Sequence, residues 1–352
     1  TGKKTNRIYL RQFKRNDGLI MKLQGKECLI TGGAGFIGSN LADKLVSKGC
    51  RLRILDNLSN GKYENIERHE KSGRLQFIQG NVLDSVDISK AMRGVEVVFH
   101  LACLGVRHSI AHPFENHQVN AEGTLNVLTK AEEAGVERFI YCSSSEIYGT
   151  ARYVPIPETH PPRPETVYGA SKLAGEAYAR AFHKTYGMKT VIIRPFNTYG
   201  PRSHFEGDAG EVIPKSIIRA LNGQPILIFG DGSQTRDFTY VEDVGWGLIL
   251  LAECDDAIGQ TLNIGSGTEI SIKDLAETIC KVTGADESNI ELQDKRPGDV
   301  GRLLADNSNF KKLCNWEAKV NFDKGIKKTV DYFKHHLRGF KNLMKEESGR
   351  NW

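Results

Sequence analysis

No stretch of this chain approaches the roughly 20 consecutive apolar residues that a membrane-spanning helix needs, so no span is expected. Also missing is any C-x-x-C pair. The seven cysteines, Cys28, Cys50, Cys103, Cys142, Cys254, Cys280 and Cys314, are odd in number and scattered. Neither a zinc knuckle nor a disulfide framework is expected from them, and a reducing cytoplasm fits best. No matching set of carboxylate or cysteine spacings joins His108, His112 and His117, so no metal is expected. Charge of one sign is scarce too. The formal net charge is only +5, and much of it comes from Lys3, Lys4, Arg7, Arg11, Lys14 and Arg15, which face no acid. That basic start has no apolar h-region and no interleaved aromatics, so it reads as a solvated extension, and no nucleic-acid partner is expected.

What is present is an ordinary globular composition, with 39% hydrophobic residues, 26% charged residues and 36 glycines for turns. At 352 residues the chain is longer than one core usually supports, and two packed lobes with a cleft between them are expected. Apolar strands read at Cys28 to Ile30, Arg51 to Leu55, Leu75 to Ile78, Val95 to His100, Phe139 to Cys142 and Thr190 to Ile193. Helical patterns lie between them at Asn40 to Lys48, Asn120 to Ala134 and Ser171 to Tyr186. This alternation predicts an α/β fold: a doubly wound parallel (Rossmann) sheet with a smaller mixed α/β lobe. After Arg194 the segments shorten and Pro, Gly and Asn become denser. The expected division is a basic extension at 1–22, a dinucleotide-binding domain at 23–195 plus 238–265, a second lobe at 196–237 plus 266–340, and a tail at 341–352. The lobes are interleaved, with no repeat and no low-complexity linker.

Between the first strand and first helix stands Gly32-Gly33-Ala34-Gly35-Phe36-Ile37-Gly38. Glycines three apart supply a tight turn, close approach of backbone to a pyrophosphate, and close packing of helix on sheet. Asp56 ends the second strand, where a carboxylate accepts both ribose hydroxyls of adenosine and repels a 2′-phosphate; NAD is therefore expected over NADP. The competing reading of Asp56 is a turn residue before Asn57. Asn81 and Val82 follow the next strand and flank the expected adenine position, although Asn in a loop often serves only turn chemistry.

Tyr168 and Lys172 stand four apart at the start of a helical pattern, so one face presents both side chains. A lysine charge beside a phenol favours the phenolate, which makes tyrosine a base near neutral pH. Alone, such a pair is usually a surface feature. Here the glycine motif and the serine-rich strand end Ser143-Ser144-Ser145 precede it.

Taken in order, Thr31 to Gly38, Asp56-Asn57, His100-Leu101-Ala102, Asn120 to Thr124, Tyr168 to Lys172, Arg194 to Asn197 and Arg236-Asp237-Phe238 resemble the extended short-chain dehydrogenase/reductases, in the nucleotide-sugar epimerase, dehydratase and decarboxylase branch. The resemblance runs from about Leu23 to about Leu337. It implies NAD, a nucleotide diphosphate-sugar substrate and a homodimer built on the helices ending before Ala134 and beginning at Ser171. It implies that Gly32, Gly35, Phe36, Ile37, Gly38, Asp56, Asn57, Ser59, Asn60, Gly61, Asn81, Val82, Leu101, Ala102, Asn120, Ser143 and Phe196 surround the cofactor, with Tyr168 and Lys172 at its reactive end. Ser144 would bind the sugar's 4-hydroxyl beside Tyr168. Asn197, Arg236 and Arg296 would hold the diphosphate or nearby ribose, Val212, Lys215 and Ile228 would lie near the base, and Arg107 would reach the diphosphate or sugar. Arginine forks suit phosphate oxygens, while Arg296 between Asp294 and Asp299 reads equally as a surface ion pair.

In such enzymes Tyr168 takes the 4-hydroxyl proton as C4 is oxidised, giving a 4-keto sugar. Epimerases commonly carry small, non-acidic residues after the catalytic Ser/Thr, whereas this chain has Ser145 and Glu146. A 4-ketone acidifies the C5 hydrogen, and Glu146 is placed to remove it as water leaves C6. The expectation is 4,6-dehydration first, C4 epimerisation second and uronate decarboxylation third, the last needing a cation such as Arg107 or Arg194. A non-catalytic NAD-binding regulator is a minor alternative, since fold alone does not prove catalysis.

Overall fold

A computed structural model of the chain describes residues 21–207, 210–295, 300–336 and 338–347. The basic stretch Lys3 to Arg15, Arg296 and the tail beyond Glu347 lie outside the described residues.

The strands are β1 (Glu27–Thr31), β2 (Arg51–Asp56), β3 (Leu75–Gln79), β4 (Val97–His100), β5 (Arg138–Cys142), β6 (Thr190–Pro195), β7 (Thr198–Tyr199), β8 (Ile226–Phe229), β9 (Thr235–Asp237), β10 (Thr239–Tyr240), β11 (Thr261–Ile264), β12 (Glu269–Ser271), β13 (Ile290–Gln293) and β14 (Arg302–Leu303). Seven of them form one parallel sheet in the order β11-β6-β5-β4-β1-β2-β3. The strand order reverses between β1 and β4, and the crevice outside the strand carboxyl ends at such a switch point is where doubly wound sheets bind dinucleotides.

Both faces of this sheet are covered, as the period-2 alternation of the strands requires. Cys28, Ile30, Val97, Phe99, Ile140 and Val191 face one apolar cluster with Leu41, Leu45 and Leu248 of the helices Phe36–Lys48 and Val241–Glu253. Leu29, Val98, Phe139, Tyr141 and Ile192 face the other, with Val127 and Leu128 of the helix Gly123–Glu133. A further cluster gathers Ile213, Ile217, Ile228, Leu275, Ile279, Ile326 and Phe333 from segments after Pro195. Those segments meet loops at the carboxyl side of the sheet: Asn40 donates to the Pro201 carbonyl at 3.1 Å, Lys62 pairs with Glu206, and Arg107 donates to the Gly210 carbonyl.

Several boundaries differ from the sequence expectation, for physical reasons. The first helix begins at Phe36 rather than Asn40, because Gly38 is helical where close packing requires it despite its poor propensity. The helix expected from Ser171 begins at Val167, where the Thr166 side chain caps the Gly169 N–H at 3.1 Å. The pattern from Asn120 to Ala134 is not one α-helix: Gln118–Glu122 is a π-helical turn, which re-aims Asn120 before the α-helix Gly123–Glu133.

Candidate active site

β1 runs into Gly32, at φ +70°, and then into the helix Phe36–Lys48, whose N-cap Gly35 is extended and supplies no side-chain cap. The first-turn N–H groups thus form an anion cradle at the helix end. Crowding explains the glycines one by one. A Cβ on Gly38 would lie 2.3 Å from the Gly32 carbonyl oxygen, one on Gly33 2.6 Å from Ile54, and one on Gly32 2.8 Å from the Ala102 main chain. At Gly35 the nearest atom would be the Gly32 oxygen at 3.3 Å, so the open side of the turn is there, where a pyrophosphate must approach. The shape fits a dinucleotide.

Asp56 ends β2 almost enclosed; one oxygen accepts from Ala34 N–H at 2.9 Å and the other from Leu58 N–H at 2.8 Å. Burial raises its pKa, and these two donors oppose the rise. Gly61 packs directly on the carboxylate, its Cβ position only 2.8 Å from Oδ1. Asn57 accepts from Ser59 N–H at 3.0 Å, and Ser59 and Asn60 are exposed beside it. Asn81 accepts from Leu83 N–H at 3.0 Å in a local turn, and Val82 is buried against the helix beginning at Gly123.

The second cluster of residues is assembled by the helix Val167–Tyr186 against the end of β5. Lys172 is 2% exposed, donates to the Cys142 carbonyl at 2.9 Å, and stands 5.9 Å from the Tyr168 ring centroid. Ser144 neighbours the Tyr168 phenol, and its side-chain oxygen accepts from Glu146 N–H at 3.2 Å and caps the 3-10 turn Ser145–Tyr148. Gly169 is required between Tyr168 and Lys172, since a Cβ there would lie 2.6 Å from the Glu146 carbonyl oxygen. That contact presses the helix start onto the Ser144–Glu146 turn. Ser144, Glu146, Tyr168 and Lys172 are therefore brought together. The sequence reading had the phenol shifted down; burial instead pushes it up, with Cys103 adding to the rise, while the Lys172 ammonium and the neighbouring Ser144 pull against it. For Lys172, burial disfavours the charge, but Cys103, Tyr141 and Tyr168 around it favour the proton and win.

Four expected cofactor contacts have their side chains turned to other work. Ser143 donates to Glu176 at 2.6 Å. Asn120 clamps Leu104 by both its N–H, at 2.8 Å, and its carbonyl, at 3.0 Å, fixing the loop after β4. Phe196 is buried beside Ile147, Tyr148 and Ile156, and Leu101 is enclosed in the core with Phe99 and Ile140. Ala102 lies against Gly32, Ile37 packs on the same core, and Phe36 is buried.

Glu176 was not singled out from the sequence, although 168, 172 and 176 recur at helical spacing on one face. It is fully enclosed and accepts from Arg194 at 2.8 and 2.7 Å, from Ser143, and from Arg180 at 3.1 Å. Burial alone would raise its pKa, but these donors hold it below the usual range. Arg194 completes the network through the Tyr148 phenol at 2.7 Å and the Glu158 carbonyl at 3.1 Å. Its guanidinium is thus occupied inside the protein, which removes it as the cation for a uronate.

On the substrate side, Arg107 stands in the helix Val106–Ala111 and reaches Gly210, next to Glu211, whose carboxyl burial pushes up to about 7 against the pull of Arg107. The Asn197 side-chain oxygen is buried without a partner among the described residues. Arg236 lies on β9 and donates to the Thr235 carbonyl at 2.9 Å, while the neighbouring Asp237 accepts from Ser266, Gly267 and Ala305 main-chain N–H groups. Val212 and Lys215 share the helix Val212–Leu221, and Lys215 Nζ lies 3.7 Å from Glu347. Ile228, expected at the base, points its side chain into the apolar cluster with Leu275 and Ile279.

A glycine turn at the switch point of a parallel sheet, a carboxylate ending β2 and a Ser-Tyr-Lys cluster at the end of β5 define a short-chain dehydrogenase/reductase. A family model described as GDP-mannose 4,6 dehydratase matches residues 29–329. The chain is 36% identical over 311 residues to a UDP-glucose 4-epimerase of Mycolicibacterium smegmatis, covering 87% of this chain and 98% of that one. It is 34% identical to a UDP-N-acetyl-alpha-D-glucosaminuronate decarboxylase of Bacillus cytotoxicus, covering 88% and 98%. Among solved structures, a UDP-glucose 4-epimerase of Thermotoga maritima with UDP-glucose superposes with a TM-score of 0.84 at 35% identity, covering 88% and 99%. A dTDP-glucose 4,6-dehydratase of Streptomyces venezuelae with NAD bound gives 0.84 at 30% identity, covering 90% and 99%. The chain belongs to the extended short-chain dehydrogenase/reductase family of nucleotide-sugar epimerases, dehydratases and decarboxylases, and is an NAD-dependent enzyme that modifies nucleotide diphosphate-sugars. No helix among the described residues is long and apolar enough to cross a membrane.

Proposed function

We propose that this enzyme inverts C4 of a UDP-linked hexose through a 4-keto intermediate. The juxtaposition of Ser144, Tyr168 and Lys172 carries this reading. The sequence ranks dehydration first, but the epimerases and decarboxylases among the relatives favour the C4 reading that it placed second. We assign 23–195 with 238–265 to the cofactor and 196–237 with 266–340 to the nucleotide sugar. The Gly32–Gly38 turn and helix end hold the pyrophosphate of NAD, and Asp56 with Gly61 holds the adenosine ribose. When bound, NAD supplies reversible hydride acceptance. Tyr168 takes the proton from the sugar 4-hydroxyl, Ser144 hydrogen-bonds the same oxygen, and the Lys172 ammonium stabilises the phenolate. Charge at Lys172 opposes the upward push that burial gives the phenol. Asn197, Arg107 and Arg236 hold the diphosphate, and the ketone turns over between oxidation and reduction while they keep hold of it. Val212 and Lys215 lie toward the base.

A second reading, 4,6-dehydration, is favoured by one residue: Glu146, a carboxylate adjoining Ser144, would be the base for the C5 hydrogen. Decarboxylation has the weaker physical case, because Arg194, one of the two candidate cations, is taken by Glu176. Incubation with UDP-glucose, UDP-N-acetylglucosamine, dTDP-glucose, GDP-mannose and UDP-glucuronate, followed by mass and proton NMR, decides between them. Unchanged mass with C4 inversion supports epimerisation. Loss of water with a new methyl doublet overturns it in favour of Glu146 chemistry.

We also propose a homodimer. Ile110, Phe114, Leu125 and Val167 are exposed on neighbouring helices at Val106–Ala111, Pro113–His117, Gly123–Glu133 and Val167–Tyr186, and a second copy would cover them.

A further inference from the structure

All seven cysteines are free thiols, yet the fold brings four of them together in two neighbouring pairs that their sequence spacing does not suggest. Cys28 neighbours Cys50, and Cys254 neighbours Cys314. Cys254 is the C-cap of the helix Val241–Glu253, and Cys314 is the last residue of the helix Ser308–Cys314. Cys254 Sγ also lies 3.6 Å from the carbonyl oxygen of Leu313, the residue before Cys314, so it rests against the end of the helix that carries Cys314. The pairs differ in access. Cys28 is 0% exposed and Cys50 6%, sealed in the core on one face of the sheet, whereas Cys254 is half-buried.

We propose that Cys254 and Cys314 form an oxidisable dithiol, a modification site that closes to a disulfide when a low-molecular-weight disulfide reaches it. Cys254 is the attacking sulfur. It is the more exposed of the two, and the neighbouring Cys314 thiol favours its thiolate against burial and the Asp256 carboxylate. The Cys254 thiolate attacks one sulfur of the reagent, breaking its S–S bond and releasing one thiolate. Cys314 then gives up its proton to solvent and attacks the Cys254 sulfur, expelling the second thiol. Two protein thiols are oxidised to one disulfide, and one reagent disulfide is reduced to two thiols. The closed ring contains β11, β12, β13 and β14, so the bond ties the end of the helix Val241–Glu253 to the end of the helix Ser308–Cys314.

The test treats the full chain with glutathione disulfide or, in parallel, with reduced dithiothreitol, alkylates remaining thiols, and maps peptides by mass spectrometry. The expected result is a linked Cys254–Cys314 peptide at least about tenfold more abundant in the oxidised sample, with Cys28 and Cys50 still alkylated. Cys314→Ser should arrest the reaction as a glutathione adduct on Cys254, and Cys254→Ser should leave Cys314 unreacted. The wild-type map stands alone if either variant fails to fold. Alkylation of both residues after oxidation, an adduct on wild-type Cys254 that never advances, or linkage of Cys28 to Cys50 in their place would each overturn the proposal.

Discussion

Replacing Glu176 by leucine should be among the most damaging single changes that leave the glycine turn and Tyr168 untouched. The carboxylate is fully enclosed, and its loss strands the Arg194 guanidinium, itself 5% exposed, together with the Ser143 hydroxyl. Removing one partner of a buried ion pair costs about 3–5 kcal/mol, because the other charge stays buried without compensation. Arg194→Met should cost a similar amount. The double variant should lose at least about 2–3 kcal/mol less than the sum of the two, since neither charge is then left alone. Urea unfolding followed by tryptophan fluorescence measures all three. The pH dependence has a definite sign. Glu176 is held below the usual carboxylate range in the folded protein, so its contribution is complete above the unfolded value of about 4.3 and is lost as pH falls through the folded one. The gap between wild type and Glu176→Leu should therefore narrow only in acid below about pH 4. Single variants within about 1 kcal/mol of wild type at neutral pH, or strictly additive losses, would refute the reasoning.

Tyr168→Phe should lower turnover by at least about 10²-fold while leaving NAD binding, followed by protein fluorescence quenching, nearly unchanged. Gly38→Ala should weaken NAD by at least about tenfold, because its methyl would meet the Gly32 carbonyl at 2.3 Å and force the cradle open; unchanged affinity in calorimetry would show that the turn yields without cost. Phe114→Asp, on a side chain 73% exposed, should convert a dimer to a monomer by light scattering without lowering the thermal midpoint of the subunit; a wild-type monomer would remove the homodimer proposal.

Much of the architecture could be read from the chain because the parallel strands bury both faces and stand out as short apolar runs between amphipathic helices. Asp56 and the Gly32–Gly38 turn were legible for the same local reason: their chemistry follows one strand within a few residues. What was not legible depends on distance in sequence. Asn120 sits in a recognisable motif, yet only the fold shows its amide bracing Leu104, because a π-helical turn alters its direction. Arg194 reads as an available cation until Glu176 and Tyr148 are seen around it. The phenol of Tyr168 was expected to be lowered by Lys172, a pairwise view that leaves out the desolvation imposed by the surrounding walls. Gly33 gave no sign of its own role, which is set by the Ile54 side chain of the neighbouring strand.

The position of β11 has a consequence for synthesis. It pairs with β6 at the border of the large sheet, but about 70 residues of chain separate the two, and at ribosomal speeds of about 5–20 residues per second they emerge roughly 3–14 s apart. During that interval the nascent protein carries six strands with the hydrogen-bonding groups of β6 unpaired along one side, a template for another nascent chain. Yield in a cell should then depend on chaperones that shield this side until Thr261–Ile264 arrives, and on translation not pausing between the two strands.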